Sequence, residues 1–171
     1  MPLDTAFNNL SVSAQNCNSL NLTGVSTNLE SKIGAITSVK SDLIFISDIR
    51  LVSSNGISNE ERVRTAIRDS KYRSYEGYFN SNKNSRGVGI LVANDINFTI
   101  IEQKIDLNQN YIILKASLNG SELILASIYG PNGADRQFFH EIERNINQLR
   151  GETELPVILG GTGTLRGIAA R

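Results

Sequence analysis

Three polar clusters follow strand-like runs: Asn16 and Asn18 after "VSAQ", Asp48 and Arg50 after "LIFIS", and Tyr129 with Asn132 after "LILASI". Side chains at strand ends are held at the rim of a packed scaffold, where binding and catalytic groups are commonly mounted. An acid, amides and a phenol meeting at one rim could hold a hard divalent cation and orient a phosphate. The carboxylate supplies the oxygen that magnesium prefers, and the ion keeps several waters for a substrate. Spacing alone does not join residues so far apart in the chain; only a fold does. Each residue also has a plainer reading. Asn16 and Asn18 are turn formers, Asp48 suits a turn cap, and Tyr129 suits a half-buried aromatic with its hydroxyl in water. Cys17 reads as an inert strand thiol, and His140, the one histidine, as a solvated helix residue. Arg50 and Arg86 are either surface arginines or contacts to phosphate.

The elements that must position these residues follow from periodicity. Val12, Ala14 and Asn16 alternate with Ser11, Ser13 and Gln15, giving a first strand. Thr27 and Glu30 form a capping-box pattern, and Leu29, Ile33, Ile36 and Val39 continue at helical spacing. "DLIFISDI", Asp42 to Ile49, is a continuous apolar run that predicts an interior strand buried on both faces. After a polar loop around Asn55-Gly56, Val63, Ala66 and Ile67 mark a second helix. "YEGYF", "RGVGILVA", "NFTIIEQ", "YIILKASL" and "ELILASIYG" then form a meander, with Asn119-Gly120 as a hairpin turn. A third helix from Asp135 to Leu149 carries Phe138, Phe139, Ile142, Ile146 and Leu149 on one face. A short buried strand, 155–159, opens at Pro156. The order β-α-β-α, five strands, α-β predicts an α/β (α+β) sandwich with helices covering sheets.

At 171 residues the chain has the size of one domain. Lys plus Arg and Asp plus Glu balance at 17 each, so no charge excess points to nucleic acid or a membrane, although a basic patch can coexist with an acidic back. One cysteine makes no internal disulfide, which fits a reducing compartment. No apolar run reaches the roughly 18–20 residues of a membrane span, and "MPLDTAFNNL" lacks the regions of a signal peptide. The expectation is an intracellular monomer, nuclear or cytoplasmic, with no membrane partner.

"QNCNSLN", "LIFISDIRL", "SRGVGILVANDINF", "LILASIYGPN" and "LPVILGG", in this order and at these separations, resemble the endonuclease/exonuclease/phosphatase superfamily. They are most similar to the endonuclease domain of non-LTR retrotransposons. The resemblance runs from about Leu10 to Gly161. It implies a four-layer α/β/β/α sandwich, Mg2+-dependent hydrolysis of phosphodiesters (Mn2+ as a substitute), and DNA as partner. It also implies that Asn16, Tyr129 and Asn132 belong to the catalytic rim and that Asp48 is the metal ligand. Asp48 stands where the family has Glu, keeping the charge but reaching one methylene less far.

The tail departs from the pattern. Where the family continues "GGDFN" or "GGDWN", this chain has Thr162, Gly163 and Thr164 after Gly160-Gly161. The Asp-Trp-Asn codons GAC TGG AAC, read one base late, give ACT GGA ACT when the next codon begins with T, and that encodes Thr-Gly-Thr. The expectation is therefore a domain portion over 1–161, with its C-terminal part missing, followed by a frameshifted tail over 162–171. A dinucleotide-type phosphate turn is the rival for "GGTGT", but no helix pattern follows it. The family's later Asp-His pair, used in general acid–base work, is not among these residues. The leading expectation is an endonuclease domain that is inactive as it stands. The alternatives are a non-catalytic DNA-binding remnant or a genomic relic without function.

Overall fold

The computed structural model describes residues 7–20, 27–51, 59–133 and 135–162. The loop around Asn55-Gly56, the Thr27 side chain and residues 163–171 lie outside the described residues. The elements are β1 (Val12–Asn16), α1 (Thr27–Thr37), β2 (Leu43–Ser47), α2 (Asn59–Arg68), β3 (Tyr75–Asn80), β4 (Val88–Ala93), β5 (Phe98–Ile105), β6 (Tyr111–Leu118), β7 (Ser121–Tyr129), α3 (Arg136–Arg150) and β8 (Val157–Thr162). The order is the one the periodicity predicts.

Two four-stranded sheets form, β1-β2-β4-β3 and β5-β6-β7-β8. In the first, β1 and β2 are parallel, as their crossover through α1 requires; in the second, β7 and β8 are parallel across α3. All other pairings are antiparallel. Leu43, Phe45, Val88, Ile90 and Val92 face Ile112, Leu114, Ala116, Leu118, Leu123 and Leu125 between the sheets. The opposite face of the first sheet buries Ile44, Ile46 and Leu91 under Leu29, Ile33, Ile36, Val63 and Ile67 of α1 and α2. The opposite face of the second buries Ile113, Ile124, Ala126 and Ile128 under Ile142, Ile146 and Leu149 of α3. The result is the expected α/β/β/α sandwich. No described helix is long and apolar enough to cross a membrane.

Local chemistry explains the boundaries. Every residue of β2 is buried, as its apolar run predicts. Asn119 and Gly120 both take positive φ, the conformation that a two-residue hairpin turn demands. Asp135 is the N-cap of α3, its carboxylate accepting from the Phe138 N–H. Tyr111 pins that helix to β6: its hydroxyl donates to Glu141 at 2.6 Å and accepts from Asn145 at 3.0 Å. Burial first, and Glu141 second, push the Tyr111 phenol well above its usual range, so it stays protonated.

Three expectations differ from the outcome. The five-strand meander breaks after β4, which pairs with β2 and β3 in one sheet while β5 opens the other. Val39 does not continue the buried stripe of α1; the helix ends at Thr37, Lys40 takes a left-handed φ of 56°, and Val39 is 47% exposed. The last strand is longer than predicted and only half-buried over Val157–Leu159, because it is an edge strand.

Edge strand β1 is fastened at its start by Asp42. Its carboxylate accepts from the Ser11 N–H and hydroxyl, each at 2.7 Å, and from Arg73 at 2.9 Å. Burial works against the charge, but the Ser11 hydrogen bonds and the Arg73 guanidinium outweigh it and hold the carboxyl below its usual range. A depressed native value stabilises the fold above the ordinary carboxylate range, and that contribution is lost as pH falls through the native value. Asp42→Asn is expected to lower stability by about 1 kcal/mol at pH 7, roughly 2–4 °C in Tm. The gap should shrink on acidification below about pH 4. A gap that is constant with pH in thermal melts would show that the charge is idle.

Candidate functional site

Register within each sheet, and the stacking of one sheet on the other, bring the strand ends together. Neighbours in a parallel ladder project to the same face of the sheet. Val12 and Ala14 pair with Leu43 and Phe45, which face the core between the sheets, so Asn16 and its partner Ser47 lie on that inner face. On the other sheet Ile158 pairs with Leu125, and four residues on in each strand Thr162 pairs with Tyr129, again on the inner face. The sheets then meet directly: Ser47 Oγ and Thr162 Oγ1 are 2.9 Å apart, and Ser127 Oγ donates to the Ile46 carbonyl at 3.2 Å. Asn16 and Tyr129, separated by most of the chain, therefore stand at one rim.

Asp48 follows Ser47 and is 6% exposed. Its two oxygens accept from Arg50, Oδ1 from Nε at 2.7 Å and Oδ2 from Nη2 at 2.9 Å. This fork-to-fork pair joins residues only two apart, which requires an unusual backbone. Asp48 and Arg50 both take left-handed φ, 56° and 50°. Such values in non-glycine residues each cost about 1–3 kcal/mol, held in place by the surrounding structure. Here Ile49, fully buried between them, is the anchor. Backbone bonds continue the ladder on both sides: Ser19 N to Asp48 O, Leu20 N to Ile49 O, and Arg50 N to Arg86 O at 2.9 Å. Asp48, by hydrogen bond and by charge, and then Tyr129 hold the Arg50 guanidinium more firmly protonated than usual.

The fringe is basic. The Lys32 ammonium donates to the Ser19 carbonyl at 2.6 Å, and Arg86, on the loop that pairs with Arg50, donates to Asn110 Oδ1 at 2.7 Å. Asn16 Oδ1 accepts from the Asn18 N–H at 2.9 Å, an Asx turn that leaves its amide NH2 to donate elsewhere. Cys17 sits between these groups. Burial, and next the Asp48 charge, push its thiol up to about 12, with Lys32 and a hydrogen bond at Ser47 working the other way. A thiol so protonated is a poor nucleophile. At pH 8 the folded chain should react with a disulfide reagent at least about tenfold more slowly than the denatured chain. Equal rates would remove Cys17 from this environment.

Asn132 stands three residues past Tyr129, exposed on the loop toward α3, and no hydrogen bond ties it to Asp48. His140 is exposed on α3, its Nδ1 3.8 Å from Glu143 Oε2. The sequence alone does not pair Ser47 with Thr162. The available signal was a serine closing the apolar run "LIFIS", but its partner lies in the opposite sheet.

Magnesium takes near-octahedral oxygen ligands and is commonly held through one or two carboxylates. No three His, Cys, Asp or Glu side chains come together among the described residues. Asp48 has both oxygens engaged by Arg50. With both Asp48 oxygens committed to Arg50, the rim as arranged does not fit a magnesium or manganese ion unless Arg50 moves aside.

No family model matches the chain, and no curated protein matches its sequence. Solved structures match in fold. Caenorhabditis elegans TDP2 superposes with a TM-score of 0.57 at 17% identity, over 89% of this chain and 46% of that one. D. rerio TDP2 complexed with a single-strand DNA product gives 0.54 at 15%, over 89% and 59%. The endonuclease domain of TRAS1, a telomere-specific non-LTR retrotransposon, gives 0.52 at 12%, over 89% and 59%. The chain thus spans 46–59% of the length of these structures. At such identities the likeness is one of fold, and the fold is the one implied by the sequence blocks.

Proposed function

We propose that this chain, which has the endonuclease/exonuclease/phosphatase fold, is part of a DNA endonuclease domain of the non-LTR retrotransposon type, and that its rim grips a phosphodiester which these 171 residues by themselves do not cut. The observation that carries the reading is the strand register that sets Asn16 and Ser47 opposite Tyr129 and Thr162 at one rim. The Asn16 amide, the Tyr129 hydroxyl and the Arg50 Nη1, which Asp48 does not use, are donors, and phosphodiester oxygens are acceptors. Lys32 and Arg86 add positive charge beside them. Asn132, on the adjoining loop, is assigned to the edge of the same surface.

Absence of turnover is supported by the residue at the end of β8. The resemblance calls for an aspartate after Gly160-Gly161 to position the phosphate, and Thr162 offers a hydroxyl bonded to Ser47 instead. A hydroxyl at that point neither carries the charge nor accepts a proton at neutral pH. With no Asp-His pair among these residues, general acid–base assistance is missing as well.

Supercoiled plasmid incubated with the chain and MgCl2 should stay supercoiled, while a labelled duplex should bind with an affinity that falls as salt rises. Accumulation of nicked circles refutes the inactivity. Undetectable duplex binding at low salt refutes the DNA role and favours a relic.

A further inference from the structure

We infer that the Arg50 guanidinium, not a divalent metal, is the resident cation of this rim, so that phosphate is received there on a side-chain charge and a metal ion gains access only by displacing Arg50. The inference starts from Asp48. A buried carboxylate needs a positive partner, and this one has a complete one: two hydrogen bonds in matched fork geometry, at 2.7 and 2.9 Å. Arg50 side-chain exposure is 37% against 8% for Asp48, so the pair is seated with the carboxylate inside and the guanidinium at the mouth.

The backbone is shaped for this pairing. Left-handed φ at Asp48 and at Arg50, on either side of a fully buried Ile49, turns two side chains of one short segment onto each other. Neither residue is glycine, so the conformation is held against its intrinsic cost by the flanking bonds to Ser19, Leu20 and Arg86. The bidentate pair is thus built into the segment rather than formed by two flexible surface chains meeting by chance.

Charge arithmetic then separates two ways of receiving phosphate. An ion held by Asp48 would bring two positive charges and open coordination positions. The guanidinium brings one positive charge, which Asp48 offsets in full where it would only halve that of the ion, and planar donors: Nη1 and the second Nη2 hydrogen remain for an oxyanion. Binding through it is independent of divalent ions. The DNA half of this inference rests on the reading proposed above; the metal half does not.

The test uses the full chain, its Arg50→Gln and Asp48→Asn variants, and thermal melts to verify folding. Manganese is titrated by the loss of its free electron paramagnetic resonance signal. The unaltered chain should take up no Mn2+ at millimolar concentration, and Arg50→Gln, with Asp48 uncovered, should bind it. A short fluorescein-labelled duplex should bind the unaltered chain equally in EDTA and in MgCl2, within about twofold. Arg50→Gln should weaken that binding by roughly tenfold in EDTA, the loss of one charge-assisted contact. Asp48→Asn, which frees Arg50, should retain or tighten it. Stoichiometric Mn2+ uptake by the unaltered chain, no gain of uptake in Arg50→Gln, or duplex binding only in the presence of MgCl2 would each overturn the inference. If no form binds the duplex, the DNA role falls while the manganese titration still decides the identity of the cation.

Discussion

Phe45→Ala is expected to lower the unfolding free energy by about 3–5 kcal/mol, the range for removing a fully buried phenylalanine. Phe45 is 0% exposed at the centre of the inner face of β2, between Leu43 and the sheet-to-sheet contact. Its ring reaches across to the opposite sheet so closely that a Cβ placed on Gly160 would lie 2.2 Å from Cγ. The ring therefore fills the space that a side chain on β8 would have used, and no neighbour can move in without shifting a strand. A void of that size between two sheets relaxes poorly, which places the loss toward the upper end. Typical domains have only about 5–15 kcal/mol of stability in total. Urea denaturation should show a lower midpoint with an unchanged slope. A loss under about 1 kcal/mol would mean that the sheets do not pack as described.

Gly161→Ala is expected to cost about 2–6 kcal/mol, the sum of a disallowed backbone conformation and forced overpacking. Gly161 has φ 148°, and a Cβ there would come within 1.8 Å of the Ile128 carbonyl oxygen. That oxygen belongs to the neighbouring strand, with Ile128 paired directly to Gly161, so relief requires β8 to move away from β7. Thr162 would move with it and leave Ser47 without its partner across the sheets. Hydrogen exchange should report deprotection of β8 beyond what the global loss explains. Full retention of protection in β8 would contradict the geometry. The two glycines thus have separate steric causes: Gly160 yields to a phenylalanine, and Gly161 yields to a carbonyl.

The sequence was most legible where one residue pattern has one physical outcome. "LIFIS" has no polar face and became a strand with both faces covered, while Asp135 ahead of Phe138, Ile142, Ile146 and Leu149 carried its own cap and stripe. It was less legible at edges. Val12 sits on the inner face yet is 42% exposed, at the start of an edge strand. Apolar character states which way a residue would turn, not whether a partner exists to bury it. Val39 misled for a related reason: the spacing ran on, but Lys40, not a glycine, took the left-handed turn that ends the helix. In the site, Asn16, Asp48 and Tyr129 were readable one at a time as polar residues closing apolar strands. Their relations were not. The Asp48–Arg50 fork depends on two left-handed non-glycine residues that no propensity scale favours. The Ser47–Thr162 bond depends on how two sheets stack.

That last bond joins residues 115 positions apart and fixes an order of assembly. The first sheet has all four strands by Ala93, yet its inner apolar face waits for β6 and β7 to lie over it. The strand that locks the two layers comes after α3 has crossed over, so during synthesis the inner face of the first sheet stays half-roofed until β8 has emerged. Maturation should therefore be slow and late, with capture by chaperones or aggregation concentrated in that interval.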